Sequence, residues 1–259
     1  MTREPDYNPN VPASARIWNY LISGKDNYDT DREVADRMLA IAPDTKTLAW
    51  LCRDFHSQAV QSAAEAGVRQ FIDLGAGMPT YPDVREVARK IEPSARILYV
   101  DNDPIVHAHC DALLTGWVGT AALKADIRSR DLIEKIQAES VVDFAEPVAV
   151  LMTQVMDYVS ADEQPEEIIR ALREAMAPGS RLVITHASDE SDADLRHQMI
   201  KDTKNSPAEP TFRTREEIEL LIKGFDIPEP GLVPVQQALD PELPETRLVV
   251  LSAVCRLEG

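Results

Sequence analysis

Short apolar runs alternate with longer amphipathic segments between residues 70 and 186. The apolar runs predict strands, which are expected near 70–74, 96–101, 119–125, 147–152 and 180–186. The amphipathic segments predict helices, which are expected near 81–92, 104–114, 130–138 and 164–177. This alternation is typical of an α/β fold with a mostly parallel sheet that helices cover on both faces. A late apolar run at 248–254 predicts an antiparallel member of a seven-stranded sheet.

Residues 1–66 have helical periodicity and no strand-like run. Helices are expected from Ala13 to a stop at Gly24, from residues 29–30 to just before Pro43, and from residues 44–45 through Ala66. The periodicity of the third helix predicts a buried face made of Leu48, Leu51, Phe55, Ala59, Ser62 and Ala66. We therefore expect residues 1–66 to form a helical extension or lid, and residues 67–259 to form the core of a single structural domain.

Residues 187–211 interrupt the alternation with a polar stretch. The segment 188–194 is acidic, and the segment 201–210 is rich in polar residues. One interpretation is a helical excursion and a loop that lies over a ligand site. The other is a solvated surface insertion, since loops usually lie on the surface.

A glycine-containing turn follows the first predicted strand. That strand ends at Asp73, and Gly75 and Gly77 follow with only Ala76 between them. Such a turn lets the backbone approach a ligand closely, because no Cβ atoms stand in the way. The next strand ends at Asp101, whose carboxylate is suited to the hydroxyls of a ribose. The pattern therefore predicts a site for an adenosine.

The residues after this turn favour an adenosine cofactor without phosphates. Thr80 stands where the dinucleotide fingerprint needs a third small residue, and Pro79 before it lacks the N–H that a pyrophosphate would use. S-adenosylmethionine, with S-adenosylhomocysteine as its product, fits better than NAD or FAD.

Several segments resemble a known family. The run 73–77 resembles the first motif of class I S-adenosylmethionine-dependent methyltransferases, and 125–128 and 172–182 resemble later segments of their Rossmann-like fold. Residues 14–28, 99–104 and 229–233 resemble the bacterial S-adenosyl methyltransferase family, once catalogued only as a domain of unknown function. Ser23 departs from that pattern, in which a glycine is usual.

Candidate cofactor contacts follow from the strand ends and from this resemblance. Asp73 is expected to bind the amino group of the cofactor or to satisfy backbone donors, and Asp101 to bind the ribose. Asn102 is expected at the adenine edge. Asp126, beside Ile127, is expected to accept from the adenine amine or to cap a helix. Thr153 and Gln154 follow the fourth strand, where the methionine part should end.

The resemblance also implies that the segment containing Tyr20, Lys25 and Asn27 folds over the cofactor. Lys25 would then meet the methionine carboxylate. Taken from the sequence alone, Lys25 is better explained as a solvated charge, and Tyr20 as a core residue.

Catalytic candidates are few. His186 ends the fifth strand and is a candidate general base, although a hydrogen-bonded structural histidine explains it as well. Tyr158, next to Asp157 just past the fourth strand, is a second candidate. His56 has no partner that the sequence can identify. No spacing of histidines or cysteines indicates a metal site.

The composition narrows the choice of partner. The chain has 259 residues and a formal net charge of −17, from 44 acidic and 27 basic residues. A field of that sign repels nucleic acid and anionic membranes, because binding to either needs clustered Lys and Arg. Three widely spaced cysteines and a polar N-terminus fit a cytoplasmic protein. A small-molecule acceptor is expected, and a homodimer is left open.

We therefore expect a methyltransferase that moves a methyl group from S-adenosylmethionine to a small molecule by in-line transfer. Such a reaction needs a positioned nucleophile more than a general base. Three alternatives stay open: a protein that binds the cofactor without transferring a methyl group, another group transfer from the same cofactor, and a nicotinamide oxidoreductase.

Overall fold

A computed structural model describes residues 8–114 and 116–259. Its centre is a seven-stranded sheet in the order β3-β2-β1-β4-β5-β7-β6. The strands are β1 (Gln70–Leu74), β2 (Arg96–Asp101), β3 (Thr120–Lys124), β4 (Ala149–Thr153), β5 (Arg181–Ala187), β6 (Val233–Pro234) and β7 (Val250–Arg256). The first five strands are parallel, and β7 runs antiparallel to both β5 and β6. The predicted Rossmann-like α/β class is confirmed.

Ten α-helices surround this sheet in the described residues. They are α1 (Ser14–Leu21), α2 (Asp29–Ile41), α3 (Thr45–Glu65), α4 (Val84–Ile91), α5 (Pro104–Leu114), α6 (Leu132–Ala138), α7 (Pro165–Ala175), α8 (Ala193–Thr203), α9 (Arg215–Leu221) and α10 (Val235–Leu239). Two short 3₁₀ turns, Met156–Tyr158 and Ala161–Glu163, follow β4. None of the described helices has the length and apolar character needed to cross a membrane.

Alternating side chains of the strands supply two apolar layers, one on each face of the sheet. On β1, Phe71 belongs to the cluster that α3, α4 and α5 cover, whereas Ile72 belongs to the cluster that α6, α7 and α9 cover. Both side chains are fully buried. The continuous apolar character of β1 and β4 therefore reflects burial on both faces.

The N-terminal helices begin and end close to the predicted positions, with one difference at the start of α2. Tyr28, and not Asp29 or Thr30, is the N-cap of α2, and its backbone N–H donates to the carboxylate of Asp31. Ser23 adopts a φ of 66°, which is the left-handed conformation that glycine takes most easily. The expected extension begins in residues 1–7, which lie outside the described residues.

The buried face of α3 is rotated from the predicted one. Ser62 and Ala66 are exposed, whereas Ala49, Cys52 and His56 are buried. The prediction took the apolar positions as the buried face, but this helix packs over both the core and a cavity. Polar residues on α3 therefore face inward.

The polar stretch 187–211 contains helix α8 and the loop that follows it. α8 packs against α2, and the loop residues Ser206, Pro207, Glu209, Pro210 and Thr211 border the cavity described below. Of the two interpretations of this stretch, the structure therefore agrees with a helical excursion and a loop that lies over a cavity. We call residues 206–211 the covering segment.

Candidate functional site

A cavity of about 420 Å³ lies at the carboxyl ends of β1, β2, β3 and β4. Helices α1 and α3 and the covering segment supply its other walls. This is the edge of an open parallel sheet at which ligands bind. Its volume is within the range of small-molecule sites, about 300–1,000 Å³.

The glycine turn forms part of the cavity floor. The N–H groups of Gly75 and Ala76 donate to the carbonyl of Val100 at 2.8 and 3.1 Å, which ties the turn to β2. Gly75 and Gly77 have φ values of 71° and 64°. A Cβ atom at Gly75 would lie 2.4 Å from Cγ2 of Val155, whereas one at Gly77 would have no heavy atom within 4 Å. Gly75 is thus required by packing, and Gly77 leaves open space above the turn.

Asp101 is fixed at the end of β2 by two backbone donors. Its Oδ2 accepts from the N–H of Gly77 at 3.0 Å, and its Oδ1 accepts from the N–H of Asp103 at 2.9 Å. Burial raises the pKa of Asp101 to about 6, and the backbone hydrogen bonds oppose that rise. Asp101 therefore has a defined orientation beside the open side of the glycine turn.

Asp73, at the end of β1, lies beside Arg53 of α3. Burial raises the pKa of Asp73 to about 7, and the positive charge of Arg53 partly counteracts this. Nη2 of Arg53 donates to the carbonyls of Thr80 and Pro82 at 3.1 and 3.0 Å. Both side chains line the cavity, so one carboxylate and one guanidinium stand together at its glycine-turn end.

Asp126, after β3, is part of a charged group in the cavity lining. Nε of Arg128 donates to its Oδ1 at 2.8 Å, and Nη2 donates to its Oδ2 at 2.6 Å. Arg128 also donates to Glu163 at 2.6 Å. The hydrogen bonds from Arg128 lower the pKa of Asp126. Asn102 donates to the same carboxylate at 3.4 Å.

The end of β4 meets α3 within the cavity wall. Nδ1 of His56 lies 2.9 Å from Oγ1 of Thr153. His56 is 4% exposed, and its burial lowers its pKa to about 3, so the imidazole is neutral. The next residue, Gln154, has a φ of 56°, and its N–H donates to Oγ1 of Thr185 at 2.8 Å.

Tyr158 connects the 3₁₀ turn after β4 to α1. Nε1 of Trp18 donates to the Tyr158 hydroxyl at 2.9 Å, and both residues line the cavity. Burial raises the pKa of Tyr158, so its phenol stays protonated.

The cavity brings together most of the predicted site residues. They are Asp73, Gly75, Ala76, Gly77, Asp101, Asn102, Asp126, Ile127, Thr153, Gln154 and Tyr158. Tyr20, Lys25 and Asn27 are not among its lining residues. The Tyr20 hydroxyl donates to Asp36 at 3.0 Å, Lys25 is exposed, and the Asn27 amide donates to Asn19 at 3.0 Å.

His186 is fully buried away from the cavity lining. Its Nδ1 lies 3.0 Å from Oδ1 of Asp157, and its Nε2 lies 2.5 Å from Nη1 of Arg213. Arg213 also donates to the carbonyls of Met156 and Val159. Both imidazole nitrogens therefore have partners within the protein. This agrees with the alternative of a hydrogen-bonded structural histidine and not with a general base in the cavity.

The cavity residues that the sequence did not identify as site residues include Trp18, Arg53 and His56. On α3, Ala49, Cys52, Arg53 and His56 follow the i, i+3, i+4, i+7 spacing of one helix face. Arg53 and His56 are polar residues on that otherwise apolar face, and this was the available signal. Across residues 8–114 and 116–259, no cluster of three or more His, Cys, Asp or Glu side chains is arranged to hold a metal ion.

Comparisons with known proteins agree with this geometry. Residues 2–254 match the profile of the S-adenosyl methyltransferase family. A solved structure from Thermobifida fusca, provisionally described as a methyltransferase, is 31% identical, has a TM-score of 0.88 and covers 100% of both chains. A solved DUF574 family protein from Streptomyces avermitilis is 30% identical with a TM-score of 0.88, and the match covers 95% of this chain and 98% of that one.

A third relative is matched over a shorter stretch. A protein from Parafrankia sp., provisionally named an S-adenosyl-L-methionine-dependent methyltransferase, is 31% identical over 157 residues, which is 59% of this chain. The match spans 47% of that protein, or about half of its length.

Proposed function

The chain belongs to the S-adenosyl methyltransferase family, and from this premise we propose that it transfers the methyl group of S-adenosylmethionine to a small-molecule acceptor. Membership of the family makes it an S-adenosylmethionine-dependent methyltransferase. The observation that carries the proposal is the carboxylate of Asp101, oriented by two backbone N–H groups beside the open face of Gly77.

The residues of the cavity fit this cofactor at three places. Asp101 would accept from the ribose hydroxyls, for which two acceptor oxygens on one fixed carboxylate are well suited. Asp126, Ile127 and Asn102 would hold the adenine. S-adenosylmethionine has no phosphate group, so the absence of an N–H at Pro79 after the turn does not oppose its binding.

Asp73 and Arg53 would hold the amino-acid end of the cofactor. An ammonium and a carboxylate on one carbon need opposite charges close together, and these two side chains provide them. Arg53 therefore replaces Lys25 in our assignment, because Lys25 is exposed outside the lining. Thr153 and Gln154 border the same part of the cavity.

When bound, S-adenosylmethionine supplies a methyl group on a sulfonium that a nucleophile attacks in line with the departing sulfur. The chain has to orient the acceptor and exclude water. Helix α1 and the covering segment would exclude water, because both form part of the cavity lining. No cavity residue is needed as a general base in this proposal.

Residues 1–66 would act as a lid over the cofactor. Six residues between Ala13 and Ile22 line the cavity. Arg16 of α1 pairs with Asp31 at 2.7 Å and with Asp103 at 3.4 Å, two residues beyond Asp101. A cavity closed in this way suits a small acceptor, and the net charge of −17 disfavours a nucleic acid.

The test is the identity of the product. We incubate the chain with S-adenosylmethionine and the small-molecule fraction of a bacterial extract, and expect S-adenosylhomocysteine by mass spectrometry. Methylthioadenosine would instead indicate another group transfer, and tight binding without either product would indicate a binding protein. Both outcomes contradict methyl transfer.

The Asp101→Ala variant tests the cofactor site in the same protein. Loss of two charge-assisted hydrogen bonds should weaken the calorimetric affinity for S-adenosylmethionine about 100-fold or more. Asp194→Asn is the control, because Asp194 is exposed on α8. Equal affinities for the two variants would remove the ribose assignment.

A further inference from the structure

We propose that the methyl acceptor binds against a wall formed by His56, Gln154 and Tyr158, and that it is an uncharged molecule with hydrogen-bonding oxygen or nitrogen atoms. This inference rests on the proposed function and goes beyond it by assigning the acceptor side of the cavity. All three side chains line the cavity, around the end of β4.

His56 offers this wall a neutral imidazole with spare hydrogen-bonding capacity. Its Nδ1 lies 2.9 Å from Oγ1 of Thr153, whereas its Nε2 is buried without a partner. Buried polar atoms in proteins almost always have partners, so an exception needs an explanation. Because His56 lines the cavity, a ligand toward which the imidazole turns would supply the missing partner.

Gln154 shows the same property on the neighbouring element. Its amide Nε2 is also buried without a partner. Its backbone is held at a φ of 56°, a conformation that is uncommon outside glycine and that clusters at ligand sites. The hydrogen bond from its N–H to Thr185 holds this conformation and keeps the side chain at the cavity wall.

Tyr158 adds a directed hydroxyl donor. The indole N–H of Trp18 is a donor only, so the phenol oxygen must accept from it at 2.9 Å. Accepting there leaves the hydroxyl proton of Tyr158 to be donated either to Ser14, its other side-chain partner in the cavity lining, or to a bound molecule. Because Tyr158 lines the cavity, an acceptor molecule can receive that hydrogen bond.

The charges around the cavity select against an anionic acceptor. Six carboxylic acids line it but only two guanidinium groups, and the acids are Asp73, Asp101, Asp103, Asp126, Glu163 and Glu209. Arg128 is paired with Asp126 and Glu163, and Arg53 donates to two carbonyls. The wall itself is uncharged. A carboxylate or phosphate acceptor would therefore meet repulsion without a free cation among the described lining residues.

The experiment compares Tyr158→Phe and His56→Gln with the wild-type chain. The probe is S-adenosylmethionine labelled in its methyl group, together with the small-molecule fraction of a bacterial extract. We expect the rate of labelling to fall about tenfold or more in each variant, with calorimetric affinity for S-adenosylmethionine retained. The melting temperature should fall only modestly, because each variant loses one hydrogen bond, to Trp18 or to Thr153. Tyr81→Phe and His197→Gln are matched controls, because both side chains are exposed.

Normal labelling by Tyr158→Phe and His56→Gln would overturn the wall assignment and leave the proposed function intact. If His56→Gln does not fold, Tyr158→Phe decides the matter, since it removes one hydroxyl only. The charge class is tested separately by passing the purified labelled product over an anion exchanger and over a cation exchanger near neutral pH. Flow-through on both supports an uncharged acceptor, and retention on either overturns it. A wild-type chain that labels nothing contradicts the proposed function itself.

Discussion

Asp73 and Asp101 illustrate at the scale of single residues how a binding site differs from a stable core. Burial raises their pKa values to about 7 and about 6, from an ordinary value of 3.8. The folded chain without ligand therefore contains carboxyl groups that resist ionisation. Such groups are common at functional sites, where a ligand completes their surroundings.

One prediction concerns the stability of the ligand-free chain, which ionised Asp73 lowers. Its folded pKa lies above its unfolded one, so its favourable contribution is complete below about pH 3.8 and is lost as the pH rises through about 7. Asp73→Asn should therefore raise the melting temperature of the ligand-free chain, with a gain that grows from pH 4 to pH 7. Thermal denaturation across that range measures it. A gain that is independent of pH would contradict this account.

The same variant should bind S-adenosylmethionine less tightly, because the ammonium of the cofactor loses its counter-charge. Wild-type affinity should fall as the pH drops below about 7, and Asp73→Asn should lack that part of the pH dependence. Calorimetric titration at several pH values checks this. An affinity equal to that of the wild type at pH 8 would remove Asp73 from the site.

A further prediction separates the two ends of the cofactor. Arg53→Met should weaken the binding of S-adenosylmethionine about tenfold or more, because a charged hydrogen bond is lost. The variant should bind methylthioadenosine, which has no amino acid, as well as the wild type does. Arg69→Met is the control, since Arg69 is 68% exposed. Equal losses for both ligands would contradict a role at the methionine carboxylate.

Single residues were predictable from sequence where the backbone pattern located them. Asp73 and Asp101 end apolar runs, so their strands place them at the ligand edge of the sheet. His186 also ends a strand, yet Asp157 and Arg213 bury it. Those partners come from segments far away along the chain, and no local sequence pattern connects them to His186. His56 was missed for the complementary reason, because its partner Thr153 is 97 residues away.

At the scale of whole elements, the covering segment depends on one buried polar cluster. Arg213 donates to the carbonyls of Met156 and Val159 at 3.0 and 2.6 Å. The N–H of Thr211 donates to the carbonyl of Asp157 at 2.6 Å. The Thr211 bond joins the covering segment to the 3₁₀ turn that contains Tyr158, and the Arg213 bonds join the chain just after the segment to the same turn and to Val159.

Arg213→Lys tests this connection. Lys keeps the charge but cannot reach both carbonyls with a planar fork, so about 1–3 kcal/mol of unfolding free energy should be lost. Urea denaturation measures that loss, and hydrogen exchange should rise in residues 206–211. The control is Arg130→Lys at an exposed position. Unchanged exchange in the covering segment would show that other contacts hold it.

Element boundaries were predictable where apolar runs and caps agreed. The runs at 70–74 and 96–101 became β1 and β2 with the same limits. The buried face of α3 was not predictable. Helical periodicity identifies a buried stripe, but it does not say whether that stripe faces a core or a cavity. β6 was missed since it has two residues, and pairing with β7 alone defines it.

At the scale of the whole molecule, the order of elements determines where the site lies. Five parallel strands bring the ends of β1, β2 and β4 to one edge of the sheet, and the N-terminal helices cover that edge. The alternation of strands and helices predicted this arrangement. The acceptor wall was beyond prediction, because it combines His56 of α3 with Gln154 and Tyr158 after β4, and Trp18 of α1 holds Tyr158, from three separate parts of the chain.

The most direct measurement is a crystal structure of the chain with S-adenosylhomocysteine. We predict that the nucleoside lies over Gly77, with ribose hydroxyl oxygens about 2.5–3.0 Å from the carboxylate of Asp101. The amino-acid end should lie between Asp73 and Arg53. A nucleoside bound elsewhere, or a glycine turn closed to ligand by neighbouring side chains, would contradict the account.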